Sequence, residues 1–146
     1  MLPEIEDPLF DGEVSVQPFE PADAETLIAG RDAVSRRFLR EGSRDPPPAG
    51  CIYVSDSIVG WIDYDRDDRG WLAGDEVNVG YNVFPQYRGH GYATRALRLL
   101  KEHLSSLEPP YRATLLIDPT NMASLALARR AGFEETARVD GQVFMK

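Results

Sequence analysis

Apolar residues follow two rhythms along this chain. Val14 and Val16, with polar residues between them, form a short strand ending at Pro18. A helix is expected from Pro21–Asp23 through Leu27 and Ile28 to Gly30, and a second over Ala33–Leu39. The breaker-rich run Arg44-Asp45-Pro46-Pro47-Pro48-Ala49-Gly50 is a loop. Cys51–Ser55 and Ile58–Tyr64 flank Asp56-Ser57 as a hairpin, and a charged connection leads to a long strand, Glu76–Phe84. Ala93, Ala96, Leu97, Leu100 and Leu104 then repeat at helical spacing, with Arg95, Arg98, Lys101 and Glu102 on the wet side. Pro109-Pro110 ends that helix. Ala113–Ile117 is a short buried-type strand, and Asp118-Pro119-Thr120-Asn121 caps a helix from Met122 to Ala131, stopped by Gly132. Asp140-Gly141 joins a last hairpin, Phe133–Val139 and Gln142–Met145. Residues 1–12 read as a flexible lead-in or an edge wrap. The string is β-α-α-β-β-β-α-β-α-β-β, a mixed α/β chain with no internal repeat.

Length makes this a single domain, 1–146, large enough for a core without staples. No apolar run approaches a membrane span, and the acidic, proline-containing N-terminus lacks the basic and apolar regions of a signal peptide. Cys51 has no internal partner and reads as a core residue, so the expected location is cytoplasmic. A net charge of −8 disfavours nucleic acid as the main partner and suits a cationic one.

Candidate chemistry concentrates between Glu76 and Leu107. A strand runs into Pro85-Gln86-Tyr87-Arg88-Gly89-His90-Gly91 and at once into a helix. Glycine allows close backbone approach, and the first-turn N–H groups of a helix have no partners within it. Together with the helix dipole they form a site for a pyrophosphate, to which Arg88 would add a charge. The glycines alone are equally compatible with a bare turn. No Gly-Lys-Ser/Thr ending marks a P-loop, and no third glycine completes a dinucleotide motif. Asp63, Asp65 and Asp67 hint at a calcium loop, but Asp68 and Gly74 stand where glycine and glutamate are required. His90 and His103 lack metal-ligand spacing, so no metal is expected.

The run Val83-Phe84-Pro85-Gln86-Tyr87-Arg88-Gly89-His90-Gly91-Tyr92-Ala93 resembles the acetyl-CoA signature of the GNAT N-acetyltransferase superfamily. Its core, Arg/Gln-x-x-Gly-x-Gly/Ala, is met by Arg88, Gly91 and Ala93. A second family element follows in order, Asn121-Met122-Ala123-Ser124 through Arg129-Arg130-Ala131-Gly132-Phe133. Its wording is most similar to the branch of ribosomal-protein alanine acetyltransferases. The resemblance implies a central, twisted, mostly antiparallel sheet of about six or seven strands flanked by about four helices. The fourth and fifth strands, Glu76–Phe84 and Ala113–Ile117, would be parallel and splayed.

That resemblance further implies acetyl-CoA as acyl donor, with no metal, and an amine as acceptor. Pantetheine would lie in the splay on backbone groups around Asn82, Val83 and Phe84. The pyrophosphate would rest on N–H groups of Gly89, His90, Gly91, Tyr92, Ala93 and Thr94, and Asn121 would contact the pantetheine amides. A lysine-like amine with a pKa of about 10.4 must lose a proton to attack. A general base serves that end, a backbone N–H near Val83 would hold the oxyanion, and a general acid would protonate the leaving thiolate. The family's thiolate-side tyrosine is replaced here by Ala128, with Ser124 as the substitute acid. The base position of some members is Val77; Glu76 beside it alternates to the other sheet face, Asn78 would only position water, and Asp118 is another candidate. Tyr81 and Tyr87 are expected to pack under the loop, Tyr92 to cap the helix, and Trp61 and Trp71 to pack at the sheet.

The activity implied is transfer of an acetyl group to a primary amine, on a small molecule or a protein N-terminus, by direct attack on the thioester. The alternative is an acyl-CoA-sensing module without turnover, which Ala128 and Val77 would permit. An enzyme acting on charged tRNA sits badly with the negative charge. Acceptor choice would lie in Arg31–Gly50 and Arg66–Asp75, and the Gln142–Lys146 strand could pair with a second copy in a homodimer.

Overall fold

A computed structural model describes residues 2–30, 48–66 and 70–146. In chain order the strands are β1 (Leu9–Phe10), β2 (Val14–Pro18), β3 (Gly50–Val54), β4 (Ser57–Asp65), β5 (Glu76–Val83), β6 (Arg112–Ile117), β7 (Glu135–Val139) and β8 (Gln142–Met145). The α-helices among the described residues are α1 (Ala24–Ala29), α2 (Tyr92–Ser106) and α3 (Met122–Arg130). One sheet joins all the strands in the order β1-β2-β3-β4-β5-β6-β8-β7. Every pairing is antiparallel except β5 with β6. This is the mixed α/β sheet with one parallel pair that the resemblance implied, with an extra short strand at its edge. The helix expected over Ala33–Leu39 lies outside the described residues.

The extra strand is β1, which holds residues 2–12 along the sheet edge. Ile5 is buried in the core, Leu9 pairs with Val16, and the Tyr64 hydroxyl donates to the Pro3 carbonyl. Arg95 on α2 forks onto Asp11 at 2.7 Å and reaches Glu13 at 3.0 Å. Solvent screens such an exposed ion pair, so burial of Ile5 rather than charge fixes this segment.

Strand alternation sorts the side chains onto two faces. Val77 and Val79 of β5, Ile62 and Tyr64 of β4, and Leu115 and Ile117 of β6 point into one core beneath α2 and α3. Leu97, Leu100 and Leu104 of α2 are fully buried against them. Each such side chain contributes about 1.5–3 kcal/mol through burial, which is why a 3.6-residue apolar stripe suffices to seat the helix. The opposite face carries a smaller cluster, Leu27 of α1 with Cys51, Trp61 and Phe84. Cys51 is therefore a core residue, and burial beside Asp23 pushes its thiol up to about 12.

Turn chemistry closes the hairpins. Asp140 and Gly141 adopt φ of 50° and 79°, the paired left-handed conformation of a tight β-turn. The β3–β4 turn falls at Ser55-Asp56, one residue before the expected Asp56-Ser57, because the left-handed position is taken by Ser55. Gly60 marks the closest backbone approach in the sheet: a Cβ there would lie 2.1 Å from the Asn82 carbonyl oxygen. Gly60→Ala should therefore cost about 1–3 kcal/mol in urea unfolding, while Gly74→Ala, whose Cβ would meet nothing within 4 Å, should leave the midpoint nearly unchanged.

Candidate active site

Pairing between β5 and β6 ends almost as soon as it begins. Glu76, Val77 and Asn78 are in register with Arg112, Ala113 and Thr114, and beyond them the strands part. Thr114 is fully buried and its hydroxyl donates to the Val77 carbonyl at 2.8 Å, closing the apex of the gap. The gap opens into a cleft of about 700 Å³ between residues 79–83 of β5, residues 115–117 of β6 with Asp118 after them, the start of α2, and the capping Asn121 with Ser124 of α3.

The free backbone edge of this cleft follows from pairing parity. Phe84 N–H donates to the Val59 carbonyl across the sheet, so Asn82 and Gly80 likewise address β4. Val79, Tyr81 and Val83 address the opposite edge, as Val77 does through Thr114. Of Asn82, Val83 and Phe84, only Val83 turns its N–H to the gap. Its carbonyl is taken by Arg88 Nε at 2.8 Å, whose guanidinium also reaches Asn82 Oδ1 at 3.2 Å. Arg88 thus ties the loop to the strand end.

At the other end, Gly91 is the residue before α2, with φ 78° and no side-chain cap. The first intrahelical bond runs from Arg95 N–H to the Gly91 carbonyl, so the N–H groups of Tyr92, Ala93 and Thr94 have no partner within the helix. Gly89 also has positive φ, 83°, and a Cβ on either glycine would meet nothing within 4 Å. The conformation, not lack of space in the free protein, selects glycine at both positions. His90 is exposed and does not line the cleft; its Nδ1–H faces the Tyr87 and Arg88 carbonyls at 3.0 Å, and its ring stacks on Tyr92. Thr94 lines the cleft with its hydroxyl buried and without a hydrogen-bond partner. Donors without acceptors at a helix N-terminus, beside a strand edge with free amides, suit a long ligand that is anionic at one end and amide-bearing at the other.

On the α3 side, Asn121 caps the helix by accepting from Ser124 N–H at 3.2 Å. Ser124 Oγ lies 2.6 Å from the Tyr81 hydroxyl, so two hydroxyls from opposite walls of the cleft meet. Burial raises the Tyr81 phenol above its ordinary value despite the hydrogen bond to Ser124, so it stays protonated at neutral pH. Tyr81 therefore does more than pack under the loop. Its partner is 43 residues away, and only the parity of β5, which aligns Tyr81 with Val77 and Val79, hinted at its direction. Ala128 is buried in the core and does not reach the cleft.

The acidic candidates separate. Asp118 lines the cleft, but its Oδ1 accepts from Thr120 N–H at 2.8 Å and Thr120 Oγ1 at 2.6 Å, building the turn into α3. Glu76 lies on the other face, away from the cleft, where it pairs with Lys146 Nζ at 2.8 Å and accepts from Ala73 N–H at 2.9 Å. Burial pushes its pKa up, but Lys146 and the Ala73 amide outweigh that and hold it below the ordinary 4.5. A depressed carboxylate stabilises the fold above its unfolded pKa and loses that stabilisation as pH falls through its folded one. Glu76→Gln should lower stability at pH 7 and flatten its decline below pH 4.5 in urea titrations, without altering ligand affinity.

Over residues 10–134 the sequence matches the acetyltransferase (GNAT) domain family. No curated protein matches it significantly. Solved structures share the fold. A GNAT-family acetyltransferase from Bordetella pertussis is 23% identical with a TM-score of 0.71, over 96% of this chain and 97% of that one. A ribosomal-protein α-N-acetyltransferase (RimL) in complex with coenzyme A is 14% identical with a TM-score of 0.76, over 95% and 96%. AAC(6')-Ib, in complex with paromomycin and acetyl-CoA, is 14% identical with a TM-score of 0.77, over 91% and 92%.

Proposed function

Because this chain belongs to the GNAT acetyltransferase family and is an acetyl-CoA-dependent N-acetyltransferase, we propose that it acetylates a primary amine by direct attack on the thioester. The observation that carries this reading is the cleft at the β5–β6 splay, with free N–H groups at its mouth and a hydroxyl pair in its wall. The N–H groups of Tyr92, Ala93 and Thr94 and the α2 dipole receive the pyrophosphate, with Gly89 and Gly91 allowing close approach. The backbone of Val79, Tyr81 and Val83 bonds the pantetheine amides as an added strand would, and the Val83 N–H stands ready for the carbonyl oxygen. Asn121, its Oδ1 used for capping, offers its amide N–H groups.

Bound acetyl-CoA supplies an activated acyl carbon with a thiolate leaving group; the chain's residues govern protons and position. Ser124 donates to the sulfur, and Tyr81 donates to Ser124. The phenol is the acid of this pair, since a tyrosine titrates at about 10 whereas an alkyl hydroxyl only relays a proton. Apposed hydroxyls thus fill the role of the tyrosine that Ala128 lacks. A homodimer and a cytoplasmic location remain compatible with this assignment.

Calorimetry with acetyl-CoA, wild type against Gly91→Trp, together with thiol release over a panel of primary amines, tests the assignment. Wild type should bind and turn over, and Gly91→Trp should lose binding; an unliganded wild type would sink it. Tyr81→Phe and Ser124→Ala should each lower kcat about 10²-fold with acetyl-CoA affinity unchanged. Their double variant should be no worse than either alone, because the hydroxyls act as a unit. Additive losses would separate their roles.

A further inference from the structure

Tyr81 and Gly80 are adjacent in β5 but serve opposite faces. Tyr81 projects toward α3 and fills that side of the strand with its hydroxyl pair. Gly80 has no side chain on the other: among the described residues a Cβ there would meet only Trp61, at 3.9 Å. Gly80 lines the cleft, so this part of the sheet adjoins the reacting edge.

Opposite Gly80 in the β4 register stands Asp63. Alternation puts Asp63 on the face opposite the main core, between Trp61 and Asp65, because Ile62 and Tyr64 take the core side. Its Oδ1 accepts from Ala49 N–H at 2.9 Å, and no cation pairs with it among the described residues. Two further polar groups flank Gly80 on this face. Asn78 Oδ1 is buried without a donor, whereas Asn82 Oδ1 accepts from Arg88 at 3.2 Å. A carboxylate and a vacant acceptor beside a side-chain-free position suit an ammonium group, which only donates hydrogen bonds.

We propose that the acceptor's primary ammonium group binds over Gly80 against Trp61, and that Asp63 takes the proton it sheds. This rests on the assignment of the cleft to acetyl-CoA. Attack would come from the Asp63 face while the sulfur leaves toward Tyr81 on the other. Asp63 accepts one ammonium proton, freeing the nitrogen's electron pair; the N–C bond forms, and the C–S bond breaks with its pair staying on sulfur. The Tyr81–Ser124 pair gives a proton to sulfur and recovers one from the new amide nitrogen through solvent, so charge and protons balance. Burial, with Asp65 nearby, raises Asp63 above the usual carboxylate range, while the Ala49 and Tyr64 amides oppose it. Among the described residues the groups facing it are Asp65 on its own strand, Cys51 and, beyond it, Asp23 on the β3 side, and uncharged Asn78, Gly80 and Asn82 on β5, with the Arg88 guanidinium on the far side of Asn82.

The test pairs a binding measurement with kinetics. In protein labelled at the aspartate carboxyl carbon and saturated with coenzyme A, adding n-butylamine should lower the apparent pKa of Asp63, since a cation favours the ionised form. An Asp63 titration indifferent to the amine would overturn the proposal. With whichever amine the panel shows to be turned over, Asp63→Asn should lower kcat/KM about 10²-fold and abolish the acid limb of its pH profile. Asp65→Asn should keep both. Acetyl-CoA affinity should be the same in all three proteins. Full activity in Asp63→Asn also overturns the proposal, whereas failure of wild type to bind acetyl-CoA brings down the cleft assignment beneath it.

Discussion

Everything at the site depends on two parallel strands that pair briefly and then part. Hydrogen bonding along β5 and β6 stops at Asn78 and Thr114, leaving the next residues of β5 with amide groups that no neighbouring strand satisfies. Unpaired backbone groups inside a sheet are costly unless water or a ligand meets them. The chain keeps the strands apart by filling the gap from one side: Tyr81 reaches across to Ser124, and α3 is anchored there by the Asn121 cap. It closes the apex with Thr114, whose hydroxyl occupies the Val77 carbonyl. The splay is a built feature with a defined beginning.

Much of this was legible in the sequence because the informative signals were local. The apolar spacing of Ala93 through Leu104 fixed α2, and the glycines before it announced a backbone-lined loop. Asp140-Gly141 announced its hairpin. Other features depend on contacts between distant parts of the chain. β1 is two residues long, too short for alternation to register, and is defined by pairing with β2. Arg88, as a cation beside a glycine loop, read as a phosphate ligand, yet its guanidinium is directed to Val83 and Asn82. Alternation already turned Glu76 away from the cleft, but its partner there, Lys146, is 70 residues away and had no local signal.

Asp63 shows the same limit from the other direction. In the sequence it belonged to an acidic string whose spacing invited comparison with a calcium loop, and failing that test left it without a role. Two pieces of parity change its meaning: Trp61 and Asp63 share a face of β4, and the register brings Asp63 to Gly80. Neither residue is informative alone. A glycine in a strand usually weakens it, which raises the question of what approaches there.

The electrostatics of the molecule follow from this division of labour. A chain with net charge −8 binds a polyanionic coenzyme, and of the arginines near the α2 N-terminus Arg95 is engaged with Asp11 and Glu13 and Arg88 with backbone and amide oxygens, while Arg130 lines the cleft from α3. Attraction must come mainly from oriented amide dipoles at the α2 N-terminus, fixed by the left-handed turn at Gly91. Such dipoles act at short range, so they do not neutralise the acidic surface as a lysine cluster would. The same protein can then present negative charge to an arriving ammonium group while holding a phosphate ester a few residues away. Coenzyme recognition by backbone and acceptor recognition by carboxylate are therefore compatible on one small sheet, because one uses the free edge of a strand and the other its face.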